Sequence, residues 1–230
     1  TSEVISNNQI SKLYVNGNGT AVHTIQGILT NTGATSVKNI FGNRVDTLQT
    51  AAAMVGTVIG IQNTTGTTVN IYSNKVGYLS TGTGVATTLT GILNTSGTNI
   101  NIYQDSIYNI TAANTAAIIH GINITGGTTP TIYKNNISSL SGSGTGAVVC
   151  NGISITSTAV TVKIDQNKIF NLSETGAITA SPAVNGINIA GGGASPTMTV
   201  SNNFISDLKA PLANSNDAIR GIAQLTSLAT

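Results

Sequence analysis

Two short apolar patterns alternate along the chain, and each occurs seven times. The first begins with Asn or Asp, carries Ile or Val two places later, and carries Leu or Ile five places later. Its copies start at Asn8, Asn43, Asn74, Asp105, Asn135, Asn167 and Asn203. Three places before each start stands another branched residue: Ile5, Ile40, Ile71, Ile102, Ile132, Ile164 or Val200. The second pattern is Gly-Ile, at Gly27, Gly60, Gly91, Gly121, Gly152, Gly186 and Gly221. An apolar side chain precedes each Gly by two places: Ile25, Val58, Leu89, Ile119, Cys150, Val184 and Ile219. Two anchors held in phase over seven copies, about 30 to 36 residues apart, identify an internal repeat.

The apolar stretches are short, rich in Val, Ile and Thr, and nearly alternating, as in Val69-Asn70-Ile71 and Ile122-Asn123-Ile124. That is strand chemistry. Turn formers separate them: Asn63-Thr64-Thr65-Gly66, Asn94-Thr95-Ser96-Gly97 and Ser141-Gly142-Ser143-Gly144. Each repeat therefore predicts about three short strands. One repeat holds too few apolar residues for a core of its own, whereas stacked repeats share one. The predicted fold is all-β: a single parallel β-helix solenoid over residues 1–230, of about seven coils, expected to be a fragment of a longer repeat protein. Equivalent residues then stack about 4.8 Å apart, and seven coils span roughly 30–35 Å. The Asn and Asp file is expected to form a hydrogen-bonded ladder. The Gly file is expected to allow a tight bend or close backbone approach. Thr64, Thr95, Thr125 and Thr156 form a Thr file. A seven-bladed propeller is the competing architecture, but its blades run about 40–50 residues and no Trp-Asp signature is present.

Composition narrows the function classes. Charged residues make up 7% of the chain, against roughly 25% in typical soluble domains. The net charge is +2, and the basic residues are scattered, so no nucleic-acid footprint is expected. No apolar run reaches the roughly 18 residues of a membrane helix, and the single Cys excludes a disulfide framework.

The stretches Thr67-Thr68-Val69-Asn70-Ile71-Tyr72-Ser73-Asn74-Lys75-Val76 and Asn203-Phe204-Ile205-Ser206-Asp207-Leu208-Lys209-Ala210-Pro211 resemble the β-strand repeats of very large secreted proteins of Bacteroidetes. Those proteins are similar to right-handed parallel β-helices of the pectate-lyase type, and many carry a type IX secretion sorting domain. The resemblance implies an extracellular or cell-surface, adhesin-like segment. Its partners would be neighbouring coils, end-to-end copies or surface polysaccharide. The alternative it implies is a carbohydrate-binding or carbohydrate-cleaving module.

Candidate chemistry is sparse. The acids are Glu3, Asp46, Asp105, Asp165, Glu174, Asp207 and Asp217; no two share a file on adjacent coils, so a general acid and base pair is not expected. They are expected to be solvated or capping carboxylates. His23 and His120 lie in different registers, and His120, in the place of Gln26, Thr90, Asn151, Asn185 and Arg220, is expected to point outward as a polar site. Cys150 replaces Ile, Val or Leu and is expected to be a buried small hydrophobe. No cofactor, metal site or catalytic residue is expected. Tyr72, Tyr103 and Tyr133 share one file, which is expected to pack ring on ring, with a sugar-binding face as the functional counterpart.

Overall fold

In a computed structural model the alternating patterns close into three parallel sheets. The structure describes residues 1–16, 22–51, 55–82, 86–113, 115–177, 182–192 and 196–225. The first sheet stacks Ser2–Ser6, Val37–Phe41, Thr68–Tyr72, Asn99–Tyr103, Thr129–Tyr133, Thr161–Asp165 and Thr197–Ser201 in chain order. The second stacks Gln9–Val15, Arg44–Thr50, Lys75–Thr81, Ser106–Ala112, Asn136–Gly142, Lys168–Glu174 and Phe204–Lys209. The third stacks His23–Thr30, Gly56–Asn63, Ala86–Asn94, Ala116–Ile124, Val149–Ile155, Val184–Ile189 and Ile219–Gln224. Each strand pairs in parallel with the strand one coil away, and the described residues contain no helix. The chain is therefore a β-solenoid of about seven coils, as the repeat predicts.

The core is a set of apolar files. Ile40, Ile71, Ile102, Ile132 and Ile164 line the first sheet, in register and at most 1% exposed. The two apolar places of the Asn motif supply the second sheet: Val45, Val76, Ile107, Ile137 and Ile169, then Leu48, Leu79, Ile110, Leu140 and Leu172. The third sheet adds Val58, Leu89, Ile119, Cys150 and Val184, and Ile61, Ile92, Ile122, Ile153 and Ile187.

Strict alternation fails inside the Asn motif, and the structure shows why. Its apolar places lie three apart, which would put them on opposite faces of a regular strand. The residue between them that precedes Leu or Ile takes the left-handed conformation in every coil: Lys12, Thr47, Tyr78, Asn109, Ser139, Asn171 and Asp207, with φ from 52° to 59°. This kink returns both apolar side chains to the interior. A second left-handed file, Asn7, Gly42, Ser73, Gln104, Lys134, Gln166 and Asn202, turns the chain between the first and second sheets, immediately before each ladder residue. All the non-glycine residues of positive φ belong to these two files among the described residues.

The Gly file makes the expected close approach. A Cβ on Gly91 would lie 2.6 Å from the Gly121 carbonyl oxygen and 2.6 Å from Ile107 Cγ2. The predicted turns of the second and third coils end on Gly66 and Gly97, at φ 107° and 121°. The predicted turn at Ser141-Gly142-Ser143-Gly144 needs correction: Ser141 and Gly142 extend the strand Asn136–Gly142. Gly142 lies in register with Glu174, whose carboxylate fills the space a side chain at Gly142 would take.

Candidate functional site

The Asn file forms the ladder. Each member's backbone N–H donates to the side-chain oxygen of the member one coil on: Asn8 to Asn43 at 3.0 Å, Asn43 to Asn74 at 3.0 Å, Asn74 to Asp105 at 2.7 Å, Asp105 to Asn135 at 3.0 Å, Asn135 to Asn167 at 3.0 Å and Asn167 to Asn203 at 3.0 Å. The amide NH2 donates to the same oxygen, and from Asn43 onward also back to the carbonyl of the Ile three places before the previous ladder residue: Asn43 to Ile5, Asn74 to Ile40, Asn135 to Ile102, Asn167 to Ile132 and Asn203 to Ile164.

Asp105 breaks this rule. It is 1% exposed, and its Oδ1 accepts from the Asn74 N–H and NH2, at 2.7 and 2.9 Å. Its Oδ2 is buried and has no partner, whereas the Asn members of the file carry an NH2 that donates along the ladder. Burial pushes the carboxyl up to about 7, against the two Asn74 donors that favour the charged form.

Three further polar files are absent from the sequence expectations. Thr30, Asn63 and Asn94 form a buried ladder in the third sheet, at 2.7 and 2.8 Å. Asn39, Asn70 and Asn101 form another in the first sheet, at 2.9 Å per step. His120, Asn151 and Asn185 form the third: Asn185 donates to Asn151 at 2.8 Å, and Asn151 donates to His120 Nδ1 at 3.3 Å. This corrects the expectation for His120, which is 8% exposed, not an open polar site. Filing itself explains the change, since the coils above and below cover a side chain that a single strand would expose. Burial lowers the His120 pKa to about 4.

The acids need the same correction. Asp105 and Glu174 are fully buried and Asp46 nearly so. Glu174 Oε1 accepts the Gly176 N–H at 2.7 Å, Oε2 has no partner, and burial raises the pKa. Asp46 accepts from Arg44 at 2.5 Å. Asp165 is held below the usual carboxylate range by the Ser201 hydroxyl and the Asn202 amide, at 2.8 and 3.0 Å. Glu3 pairs with Lys38, its register partner one coil on, in a file that is apolar from Val69 onward; Lys38 is buried and also donates to Thr32 O. Cys150 is buried as expected, and burial raises its thiol pKa. Among the described residues no three His, Cys, Asp or Glu gather as metal ligands, and no helix is long and apolar enough to cross a membrane.

Tyr72, Tyr103 and Tyr133 stack ring on ring, and Phe41 extends the stack by one coil. Successive centroids are 4.8 to 4.9 Å apart and the planes 4° to 8° from parallel. That spacing is the coil repeat, so each inner ring covers its neighbours' faces and presents only edges to a ligand. Tyr14, Tyr78 and Phe204 are exposed on the second sheet, and of these Tyr78, at 51%, lies beside a depression of about 370 Å³. Tyr78 meets Tyr108 edge to face, with centroids 5.5 Å apart and planes at 85°. No family model, curated protein or solved structure matches the chain.

Proposed function

We propose that the chain is a structural and adhesive repeat segment of an extracellular or cell-surface protein, a stalk, adhesin or filament, and that it is not a catalyst. The observation that carries this reading is the direction of its polar bonding. Ladder amides, buried Asn files and backbone all bond along the axis, coil to coil, so side-chain chemistry is spent on axial cohesion. Asp105, the acid within the ladder, is committed to Asn74 and Asn135. The resemblance to Bacteroidetes secreted repeats, with type IX export, supports the location.

Among the described residues, the strands of the first and last coils are paired on one side only. Further coils or end-to-end copies are the partners such edges fit. At one end Asn8 offers a ladder acceptor, and at the other Asn203 offers a ladder N–H. The reading is tested by assaying the chain for cleavage of a panel of neutral and acidic polysaccharides. We expect no turnover. Turnover abolished by Asp105→Asn or Asp165→Asn contradicts it in favour of a carbohydrate-cleaving module.

A further inference from the structure

We propose that the depression beside Tyr78 binds a neutral sugar residue of a glycan chain; this rests on the adhesive reading and gives the adhesin its contact. The depression lies on the outer side of the second sheet across three coils, about 10 Å along the axis, with a volume of about 370 Å³. That is at the small end of ligand sites. Its lining combines one exposed aromatic ring with the polar side chains of Thr47, Gln49, Ser80, Asn109 and Thr111.

Three observations support a ligand there. First, Tyr78 is fixed in place. Its left-handed backbone, φ 54°, is uncommon for a bulky residue, and its ring is braced edge to face by Tyr108. The Tyr108 ring in turn occupies the space over Gly77, whose Cβ would lie 2.6 Å from Tyr108 Cε2. Second, the polar groups are open. Farther along the same two files, side chains bond one another: Asn171 to Ser139 at 3.1 Å and Ser173 to Ser141 at 3.2 Å. Around Tyr78, the side chains of Gln49, Ser80, Asn109 and Thr111 have no such partner among the described residues. Third, no ionised side chain lines the depression. An apolar ring face beside neutral amides and hydroxyls suits a sugar, which offers an apolar C–H face and a rim of hydroxyls. The stacked Tyr72, Tyr103 and Tyr133 lack a free inner face for this.

The test is calorimetric titration of the whole chain with cellohexaose, xylohexaose, mannohexaose and laminarihexaose, and with oligogalacturonate as the acidic comparison. The repeat itself places Asn at the Tyr78 position in two other coils, Asn109 and Asn171, so Tyr78→Asn keeps the fold. We expect at least one neutral oligosaccharide to bind, Tyr78→Asn to weaken it at least tenfold, Gln49→Ala to weaken it severalfold, and Tyr133→Phe to leave it unchanged. Far-UV circular dichroism and the unfolding midpoint should match the parent. Absence of binding by all four neutral probes overturns the proposal, as does binding that survives Tyr78→Asn or a preference for oligogalacturonate. Such a failure leaves the structural, non-catalytic reading standing, because that is tested separately by the turnover assay.

Discussion

At the scale of single residues, the solenoid turns substitutions within a file into a pH response. Asp105 Oδ2 is buried without a hydrogen-bond donor, so the neutral acid is the form that fits. Between about pH 4 and pH 7 the folded chain keeps a proton that the unfolded chain, with a carboxyl at 3.8, has released. The contribution of Asp105 is therefore present at acid pH and lost as pH rises to about 7, about 4 kcal/mol in all. Asp105→Asn restores the ladder NH2 that the other members of the file carry. Urea unfolding is expected to show little gain for this variant at pH 4 and a gain approaching about 4 kcal/mol at pH 8; an equal gain at both contradicts the assignment. His120 acts with the opposite sign. Its neutral form is held down to about 4 against 6.5 unfolded, so its contribution is lost as pH falls through that window, by about 3 kcal/mol. Relative to His120→Asn, the residue that Asn151 and Asn185 supply in the next two coils, the parent should lose stability on acidification from pH 7 to pH 4. The two slopes oppose each other in the parent, so each is read as a difference between parent and variant. A parent-to-variant difference that does not change with pH would remove His120 from the account.

At the scale of strands and turns, the Gly file gives a paired test. Gly91→Ala forces a Cβ against both the Gly121 carbonyl and Ile107, and should cost about 3 kcal/mol. Gly221→Ala, in the last coil, meets nothing within 4 Å and should change the denaturation midpoint little. Equal effects at the two positions would mean the file does not set the distance between coils. Coil number, strand composition, ladder and Gly file were all legible in the sequence, because a solenoid writes the same contact once per coil. The kink was legible only indirectly, in the three-residue spacing of Ile10 and Leu13 that alternation cannot satisfy. Glu174 and Lys38 carried a signal in register rather than type: Glu174 stands seven places after Asn167, where other coils place Thr50, Thr81, Ala112 and Gly142. Lys38 stands five places before Asn43, where later coils place Val69 and Ile100. Burial of His120 and the braced Tyr78 ring depend on packing between coils, which no single repeat reveals.

At the scale of the whole molecule, the three sheets and the ladders share one axis, and each coil touches only its neighbours. Stability is then close to a sum of coil and interface contributions. The interior amide files make each interface polar as well as apolar, so detaching a coil breaks ladder hydrogen bonds together with backbone ones. A stalk or adhesin needs this property, because load applied along the axis is carried by every interface in series. The most direct test is single-molecule extension between handles at the first and last coils. Stepwise release of one coil at a time is expected, each step freeing the 30 to 36 residues between ladder members, about 110 Å of chain. Smooth lengthening at low force, with no steps of coil length, would contradict it.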